Sequence, residues 1–488
     1  MPFTHNNGFL DRTLKNLRLG WQSIAGTSYD AEAASMRPDL PGSDIEIVHR
    51  QMQDCLNNKG GDVSARSKAA SLGRVYLALD ETGKNRFLAM LADDFDIDRD
   101  RVDEKIKKLQ SVKNNHARHQ AENELRQSLQ APRIILLRQF NDLPEGVKFL
   151  VDMRADLLKL LKKNRDAENR AALQALDNDL KELLASWFDI GFLELKRITW
   201  QHSSAALLEK LIAYEAVHAI ESWDDLKNRL DSDRRCFAFF HPRMPDEPLI
   251  FVEVALVDGM SDNIQALLDK NAPVMDPEDA DTAIFYSISN AQKGLQGISF
   301  GNFLIKRVVT VLANEFKGIK TYATLSPVPG FMRWLDKNIS EGKPNLLTPQ
   351  ERKALKQVSP QKSGGKGMFK HLLNSNNWHQ NPDVERALKT PLMRLCAVYL
   401  QEKRPASKNS GQSQNKAATV LDPVAHFHLT NGARMQRLNW LGDTSEKGMQ
   451  ASAGMMINYY YDLNRIEGNH EAYSGSGKIA ISSSIKNL

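Results

Sequence analysis

One serine, Ser326 in the segment TLSPVPGF, is placed where it could supply a rigidly held hydroxyl group. The segment follows the β-rich run KTYATL, and Pro327 and Pro329 restrict the backbone after the serine. Serine and proline are also common in tight turns, so a structural turn is the simpler interpretation of these residues alone. A hydroxyl fixed at a strand end would nevertheless be a preorganised donor for a carboxylate or carbonyl of a ligand.

A glycine-containing loop lies upstream of this serine. The predicted strand AIFYSIS runs into NAQKGLQGISFGN, and the predicted helix FLIKRVVTVLANEF follows. Gly294, Gly297 and Gly301 would let the backbone approach a ligand, and the free amides of a helix start attract phosphate. Neither a Lys-Ser/Thr pair nor a GxGxxG pattern is present, which argues against an ATP-binding P-loop and a dinucleotide site. Ser326 follows the next predicted strand and would lie at the same end of the sheet as the glycine loop. This strand-loop-helix-strand arrangement therefore favours a site for a phosphate-bearing ligand.

The elements that would position these groups differ between the two halves of the chain. In the first half, apolar residues recur at three- and four-residue steps, as in LVDMRADLLKLL, which predicts helices packed on helices. A second such face consists of Leu173, Leu176, Leu180, Leu183 and Trp187. Later, short β-rich runs alternate with turns and helical stretches. The predicted fold is an all-helical N-terminal domain, residues 1–187, followed by a mixed α/β domain, residues 188–488.

Composition and charge exclude several classes of protein. The chain has 488 residues, 41% hydrophobic and 26% charged, as expected of a globular protein of two or three domains. The 65 basic and 60 acidic residues are evenly spread, so neither nucleic acid nor a membrane surface is expected as the main partner. No apolar run approaches the roughly 18 residues of a membrane span. Cys55, Cys236 and Cys396 lack metal-ligand spacing, which favours buried thiols and a cytoplasmic location.

Several long blocks of the second half, in a fixed order, resemble the malonyl-CoA decarboxylase family. They are ITWQHSSAALLEKLIAYEAVH, HPRMPDEPLIFVEVAL, FYSISNAQKGLQGISFGNFLIKRVV, TLSPVPGFMRWL and VAHFHLTNGARMQRLNWLGDTS. The resemblance covers nearly all of the chain from Phe188 onward and, more loosely, the helical first half. Long blocks in order are much more specific than any one short motif.

The resemblance implies a helical N-terminal domain and a catalytic domain of the GNAT acyltransferase fold, whose glycine loop holds the coenzyme A pyrophosphate. It implies conversion of malonyl-CoA to acetyl-CoA and carbon dioxide without metal, biotin or other cofactor, and a homotetramer formed through the helical domain. It assigns catalysis and substrate contact to Ser326 and His428. It assigns the malonyl-CoA loop to Gln296, Gly297, Ile298, Ser299, Phe300, Gly301 and Asn302. Some relatives carry an acidic residue where this chain has Ser299, which leaves the role of that position open.

The reaction indicates how the two catalytic residues would act. Loss of carbon dioxide from a malonyl thioester leaves an enolate, so a donor to the thioester oxygen lowers the barrier. Ser326 would be such a donor rather than an acylated nucleophile, because no acyl group has to pass to the enzyme. His428, expected to have a pKa near neutrality, would protonate the enolate carbon. His426 would share a face with His428 if HFHLTNGA were a strand, and only the family pattern FHLxNGA favours His428.

Other polar residues are assigned structural roles. The histidines expected on a solvated face or in a structural role are His116, His119, His218, His241 and His371. Glu253 lies in the apolar run LIFVEVALV and would need a partner if it is buried, in the active site or elsewhere. Tyr459, Tyr460 and Tyr461 are predicted to alternate along a strand, where a phenol could donate to substrate, although packing in the core is favoured.

Two other functions remain compatible with these residues. An N-acyltransferase could use the same coenzyme A cradle, but it would also need a channel for an amine substrate. A non-catalytic sensor or scaffold could bind a coenzyme A thioester and use its helical half as an interaction surface. The polar segment at residues 403–419 is expected to be a flexible insertion within the second domain.

Overall fold

The structure is a computed structural model. It describes residues 17, 20, 21, 24, 36–57, 61–164, 166–188, 190–298, 304–359, 365–375, 377–404 and 418–488. The chain forms two compact units. Unit 1 comprises Met1–Glu194, Phe239–Ile250 and Asn290–Phe300, and unit 2 comprises Leu195–Ala238, Phe251–Ser289 and Gly301–Leu488.

Unit 1 is built mainly of helices. They are α1 (Gly42–Leu56), α2 (Gly61–Ala78), α3 (Glu81–Asp93), α4 (Arg99–Ser111), α5 (Asn115–Ser128), α6 (Arg133–Asn141), α7 (Gly146–Lys163) and α8 (Ala167–Trp187). Side-chain caps begin several of them: Asp80 accepts from the amide of Gly83, and Asp98 from that of Arg101. These caps satisfy amides that have no partner inside a helix.

The apolar faces predicted from the sequence form the core of unit 1. On α7, the buried residues of the predicted face are Leu150, Met153, Leu157 and Leu161. On α8, Leu173, Leu176 and Leu180 are buried as expected, whereas Leu183 and Trp187 are only half-buried. Leu184 takes the buried position at the end of that face, because 3.6 residues per turn carry the stripe around the helix.

The second half combines a sheet with helices, as predicted. Its strands are β1 (Glu194–Ile198), β2 (Arg234–Phe240), β3 (Ile250–Val257), β4 (Thr282–Asn290), β5 (Thr321–Thr324), β6 (Ser326–Pro327), β7 (Arg434–Asn439) and β8 (Met456–Tyr460). The strand order is β1-β2-β3-β4-β5-β8-β6, and β7 also pairs with β8. Strands β4 and β5 are parallel, so the chain between them crosses over through a helix.

The helices of the second half include the element predicted after the glycine loop. They are α9 (Ala205–Tyr214), α10 (Trp223–Arg229), α11 (Ile264–Leu267), α12 (Leu304–Glu315), α13 (Phe331–Ser340), α14 (Pro349–Val358), α15 (Gly365–Leu373), α16 (Pro382–Gln401), α17 (Pro423–Thr430), α18 (Glu446–Ser452), α19 (Ile466–Ser476) and α20 (Ser483–Lys486). Helix α12 is the predicted crossover between β4 and β5. The insertion predicted at residues 403–419 lies mostly outside the described residues.

A break separates β5 from β6 directly before Ser326. Both strands pair with β8 in one register, with Ala323 opposite Tyr460 and Ser326 opposite Ile457. Between these pairs, the Thr324 hydroxyl accepts from the amide of Tyr459 at 3.1 Å, and the Asn458 side chain donates to the Thr324 carbonyl at 2.7 Å. These bonds replace the ladder locally, so Ser326 resumes the strand in a fixed position.

Candidate active site

Ser326 begins β6 and is 5% exposed. Its Oγ donates to Thr324 Oγ1 at 2.8 Å and lies 3.0 Å from His428 Nε2. The hydroxyl is therefore held at the start of β6, two residues after the end of β5, and the structure brings together the two residues that the family resemblance singled out.

His428 lies on helix α17, not on a strand. Pro423 at the first helical position and Asp422 at the N-cap start this helix, because proline needs no amide partner there and the Asp422 carboxylate accepts from the amide of Ala425 at 2.8 Å. The other Asp422 oxygen accepts from the hydroxyl of Tyr399 at 3.0 Å. Both oxygens of the Asp422 carboxylate thus accept hydrogen bonds, which fixes the start of the helix that carries His428.

The helix also separates the two candidate histidines. His426 is half-buried, and its Nδ1 lies 2.9 Å from the hydroxyl of Tyr473. Residues two apart on a helix point in different directions, in contrast to the shared face of a strand. Because the segment is a helix, the condition for a shared face is not met, and the ring that lies beside Ser326 is that of His428.

Aromatic side chains from β8 and the following residue enclose the imidazole of His428. Tyr459 stacks on it with ring centroids 4.3 Å apart and planes at 23°. The hydroxyl of Tyr461 lies 2.8 Å from His428 Nδ1. The Tyr459 hydroxyl is buried and has no hydrogen-bond partner among the described residues.

Burial sets the protonation state of this group. His428 is 2% exposed, and burial lowers its pKa to about 3, so the expectation of a pKa near neutrality was wrong. Burial also raises the pKa of Tyr461 well above its ordinary value, so the phenol is protonated in the resting site. The protonated phenol of Tyr461 can donate to Nδ1 of His428, and in the tautomer that accepts this bond Nε2 carries the hydrogen. The donors then run from Tyr461 to His428 to Ser326 to Thr324.

Comparison with known proteins identifies the family. The family model of the malonyl-CoA decarboxylase C-terminal domain matches residues 191–488, and that of the N-terminal domain matches residues 95–188. The chain belongs to the malonyl-CoA decarboxylase family. The mitochondrial malonyl-CoA decarboxylase of Anser anser anser is 38% identical over 435 residues, which are 86% of this chain and 83% of that protein.

Solved structures of this family have the same fold. The crystal structure of malonyl-CoA decarboxylase from Rhodopseudomonas palustris is 40% identical, with a TM-score of 0.79 over 91% of this chain and 99% of that one. The malonyl-CoA decarboxylase from Agrobacterium vitis is 39% identical, with a TM-score of 0.75 over 90% of this chain and 98% of that one. The predicted arrangement of a helical N-terminal region followed by a mixed α/β domain is confirmed.

The loop that the resemblance assigns to malonyl-CoA is described only at its beginning. Gln296, Gly297 and Ile298 follow a short 3-10 helix, Lys293–Leu295. Ser299, Phe300, Gly301 and Asn302 lie outside the described residues. Gly297 has a φ of +77°, which glycine adopts without strain and β-branched residues avoid. The ligand role of the loop stays a prediction.

Packing within unit 1 fixes the start of this loop. Arg154 on α7 donates to the carbonyls of Gly294 at 2.6 Å and Gln296 at 3.0 Å. A Cβ atom at Gly294 would lie 1.7 Å from the carbonyl oxygen of Val151. The glycine at position 294 is therefore required by its contact with α7.

Glu253 has its partner in a buried ion-pair network. Its carboxylate accepts from Arg229 at 3.2 Å, and Arg229 also donates to Asp225 at 3.0 Å. Burial raises the pKa of Glu253 to about 7, while the nearby guanidinium opposes that rise. This network accounts for a carboxylate in an otherwise apolar strand.

Sequence reasoning missed three members of the site. For Tyr461, core packing was favoured over a donor role, and neither Thr324 nor Asp422 was singled out. Asp422 carried a recognisable signal, since an aspartate directly before a proline is typical of a helix start. Thr324 and Tyr461 carried none, because their contacts depend on the registers of strands distant in the sequence.

Two absences complete the description of the part of the chain that the structure describes. In that part, no cluster of three or more His, Cys, Asp or Glu side chains could hold a metal ion. Within the same residues, no helix combines the length and the apolar character needed to cross a membrane.

Proposed function

We propose that this protein is a carboxy-lyase that converts malonyl-CoA to acetyl-CoA and carbon dioxide without a cofactor. The proposal rests on the 3.0 Å contact between Ser326 Oγ and His428 Nε2 in a chain whose relatives are named malonyl-CoA decarboxylases. A buried hydroxyl beside a buried imidazole supplies the two functions that decarboxylation of a thioester needs: a donor to the developing oxyanion and a proton for the resulting carbon.

Ser326 acts at the bond-breaking step. The bond between the carboxylate and the α-carbon of the malonyl group breaks, and its electron pair passes into the thioester as an enolate. The Ser326 hydroxyl turns from Thr324 to the thioester oxygen and stabilises the negative charge there. Because Thr324 and the neighbouring strands hold Ser326 before substrate arrives, little reorganisation is needed.

His428 then acts as the acid in its neutral form. The enolate carbon takes the hydrogen from Nε2, while Nδ1 takes the proton of Tyr461, so the imidazole is neutral before and after the step. Once carbon dioxide has left, a proton from solvent reaches Nε2 and Nδ1 returns its proton to Tyr461, which restores the starting tautomer. The reaction consumes one proton overall. A neutral donor suits a site whose burial disfavours imidazolium.

The substrate loop, residues 296–302, binds the coenzyme A pyrophosphate mainly through backbone amides. The left-handed conformation of Gly297 supports this role, because such turns present successive amides to an anion. The first turn of α12 follows the loop and adds the positive end of its dipole.

Purified protein incubated with malonyl-CoA alone tests the function. Acetyl-CoA and carbon dioxide should appear in equal amounts without an added acceptor and in the presence of a chelator. A requirement for an amine acceptor would indicate the acyltransferase, and binding without turnover would indicate the sensor.

The remaining proposals concern organisation and location. Residues 1–187 form an oligomerisation domain that builds a homotetramer, residues 188–488 form the catalytic domain, and the protein is cytoplasmic. Leu129, directly after α5, and Ile135, on α6, are 52% and 51% exposed and supply apolar surface for this assembly. The three cysteines are free buried thiols. Light scattering that gives the mass of a monomer at micromolar concentration would exclude the tetramer. Secretion of a fluorescent fusion of this protein by its host cell would exclude the cytoplasmic location.

A further inference from the structure

A positively charged cavity of about 260 Å³ is lined by the start of β7, the end of β8 and the start of α19. We call it the C-terminal cavity. Its cationic lining residues are Arg434, Arg465, Lys478 and Lys486. The lining contains one carboxylate, that of Asp462. A cavity of this size with such an excess of positive charge is suited to a small anion.

Arg434 is the most informative residue of this cavity. Its Nε is buried and has no hydrogen-bond partner among the described residues, and its guanidinium lies over the Tyr460 ring, 5.2 Å from the centroid. A buried charged donor without an acceptor is costly. Lys478 and Lys486 form no ion pair with other described residues, and Arg465 has only Asp462, at 3.7 Å. Arg434 Nε therefore lacks an acceptor, and a phosphate could supply one to it and to the neighbouring lysines through several oxygens at once.

One ion pair links the helix start proposed for the pyrophosphate to α19, the helix that borders the C-terminal cavity. Lys306, in the first turn of α12, forms an ion pair with Glu467, in the first turn of α19. Arg465 directly precedes α19 and lines the cavity. The pyrophosphate and the 3′-phosphate of coenzyme A are carried by the same ribose, so a ligand held at the start of α12 has its second phosphate within a few ångströms of the first.

We propose that the C-terminal cavity binds the 3′-phosphate of the coenzyme A thioester and so selects for 3′-phosphorylated substrates. This inference rests on the proposed function for the identity of the thioester. A phosphate monoester carries nearly two negative charges at neutral pH and offers three acceptor oxygens. These oxygens match the guanidinium donors of Arg434 and the ammonium groups of Lys478 and Lys486. The same chemistry would also accept free inorganic phosphate, so the test has to distinguish the two sources.

Binding of coenzyme A and of 3′-dephospho-coenzyme A, measured by titration calorimetry, tests the inference independently of turnover. The wild-type protein should bind dephospho-coenzyme A about tenfold more weakly, the effect expected for losing charge-assisted hydrogen bonds. Arg434→Gln should weaken the binding of coenzyme A severalfold and leave the affinity for dephospho-coenzyme A within twofold of the wild-type value. Lys478→Gln, an exposed change less prone to cause misfolding, should have the same effect. Lys389→Gln removes an exposed charge from α16 and should change neither.

Equal affinity of the wild-type protein for both ligands, or equal weakening of both by the two variants, would overturn the inference. Inorganic phosphate should compete with coenzyme A but not with dephospho-coenzyme A; phosphate that binds alongside coenzyme A would also overturn it. Turnover of malonyl-CoA is measured separately. If turnover is absent while the tenfold difference in affinity is present, the proposed function fails and the cavity assignment stands.

Discussion

Ser326 Oγ and His428 Nε2 lie 3.0 Å apart, although 102 residues separate them along the chain. Strand β8 is the common reference for both residues. Its Ile457 pairs with Ser326, and Tyr461 directly after the strand lies 2.8 Å from the other nitrogen of the His428 ring. The register of β8 therefore places the Ser326 hydroxyl beside one nitrogen of the imidazole and the Tyr461 hydroxyl beside the other.

Replacing Tyr461 with phenylalanine should lower kcat about tenfold and leave KM nearly unchanged, because one hydrogen bond that fixes the tautomer of His428 is lost. Nitrogen NMR should find the hydrogen on Nε2 in the wild-type protein and a mixture of tautomers in the variant. Tyr459→Phe is the matched control. It removes a buried hydroxyl without a partner among the described residues, so stability should not fall. Unchanged kcat in Tyr461→Phe would exclude the proton relay.

Acid should destabilise the protein through His428. Its pKa is about 3 in the folded state and about 6.5 in an unfolded chain, so the unfolded chain binds more protons between these values. The free energy of unfolding contributed by this residue is fully present above pH 6.5 and is lost as the pH falls toward 3, by at most about 1.4 kcal/mol per pH unit. Denaturant titrations at several pH values give the free energy of unfolding as a function of pH. Its slope between pH 3 and 6.5 should be shallower for His428→Asn than for the wild-type protein. Parallel slopes would contradict the buried neutral imidazole.

Gly297→Val should raise KM for malonyl-CoA much more than Ser299→Ala. Valine strains a backbone whose φ is +77°, whereas the serine change removes at most one side-chain hydrogen bond. Gly259→Val is a useful control, because Gly259 also has a positive φ and open space around it. Its variant should show the strain in a lower melting temperature without a change in KM. Unchanged substrate binding in a folded Gly297→Val variant would refute the phosphate loop.

Periodicity and turn chemistry made much of the fold predictable. The apolar repeat of α7, the strand AIFYSIS and the crossover helix α12 are local patterns, and each predicted element is present. The segment HFHLTNGA was harder, because its apolar residues show no strong helical repeat. The signal for a helix lay just outside it, at Asp422 and Pro423.

The chemistry of the site was less predictable because it depends on burial. A histidine in a sequence suggests a pKa near neutrality, but the shift at His428 results from desolvation by residues far along the chain. The same holds for Gly294, whose lack of a side chain is explained by the carbonyl of Val151. Such contacts exist only once tertiary packing has formed.

Single-turnover kinetics of Ser326→Ala, His428→Asn and His426→Asn with malonyl-CoA test the central claim most directly. The first two variants should each lower the decarboxylation rate by about 10²-fold or more, as expected for losing a positioned donor or acid, and should still bind acetyl-CoA. His426→Asn should cost far less, because its ring contacts Tyr473 and not Ser326. Near-normal rates in Ser326→Ala and His428→Asn, or a covalent acyl group trapped on Ser326 during turnover, would contradict this mechanism.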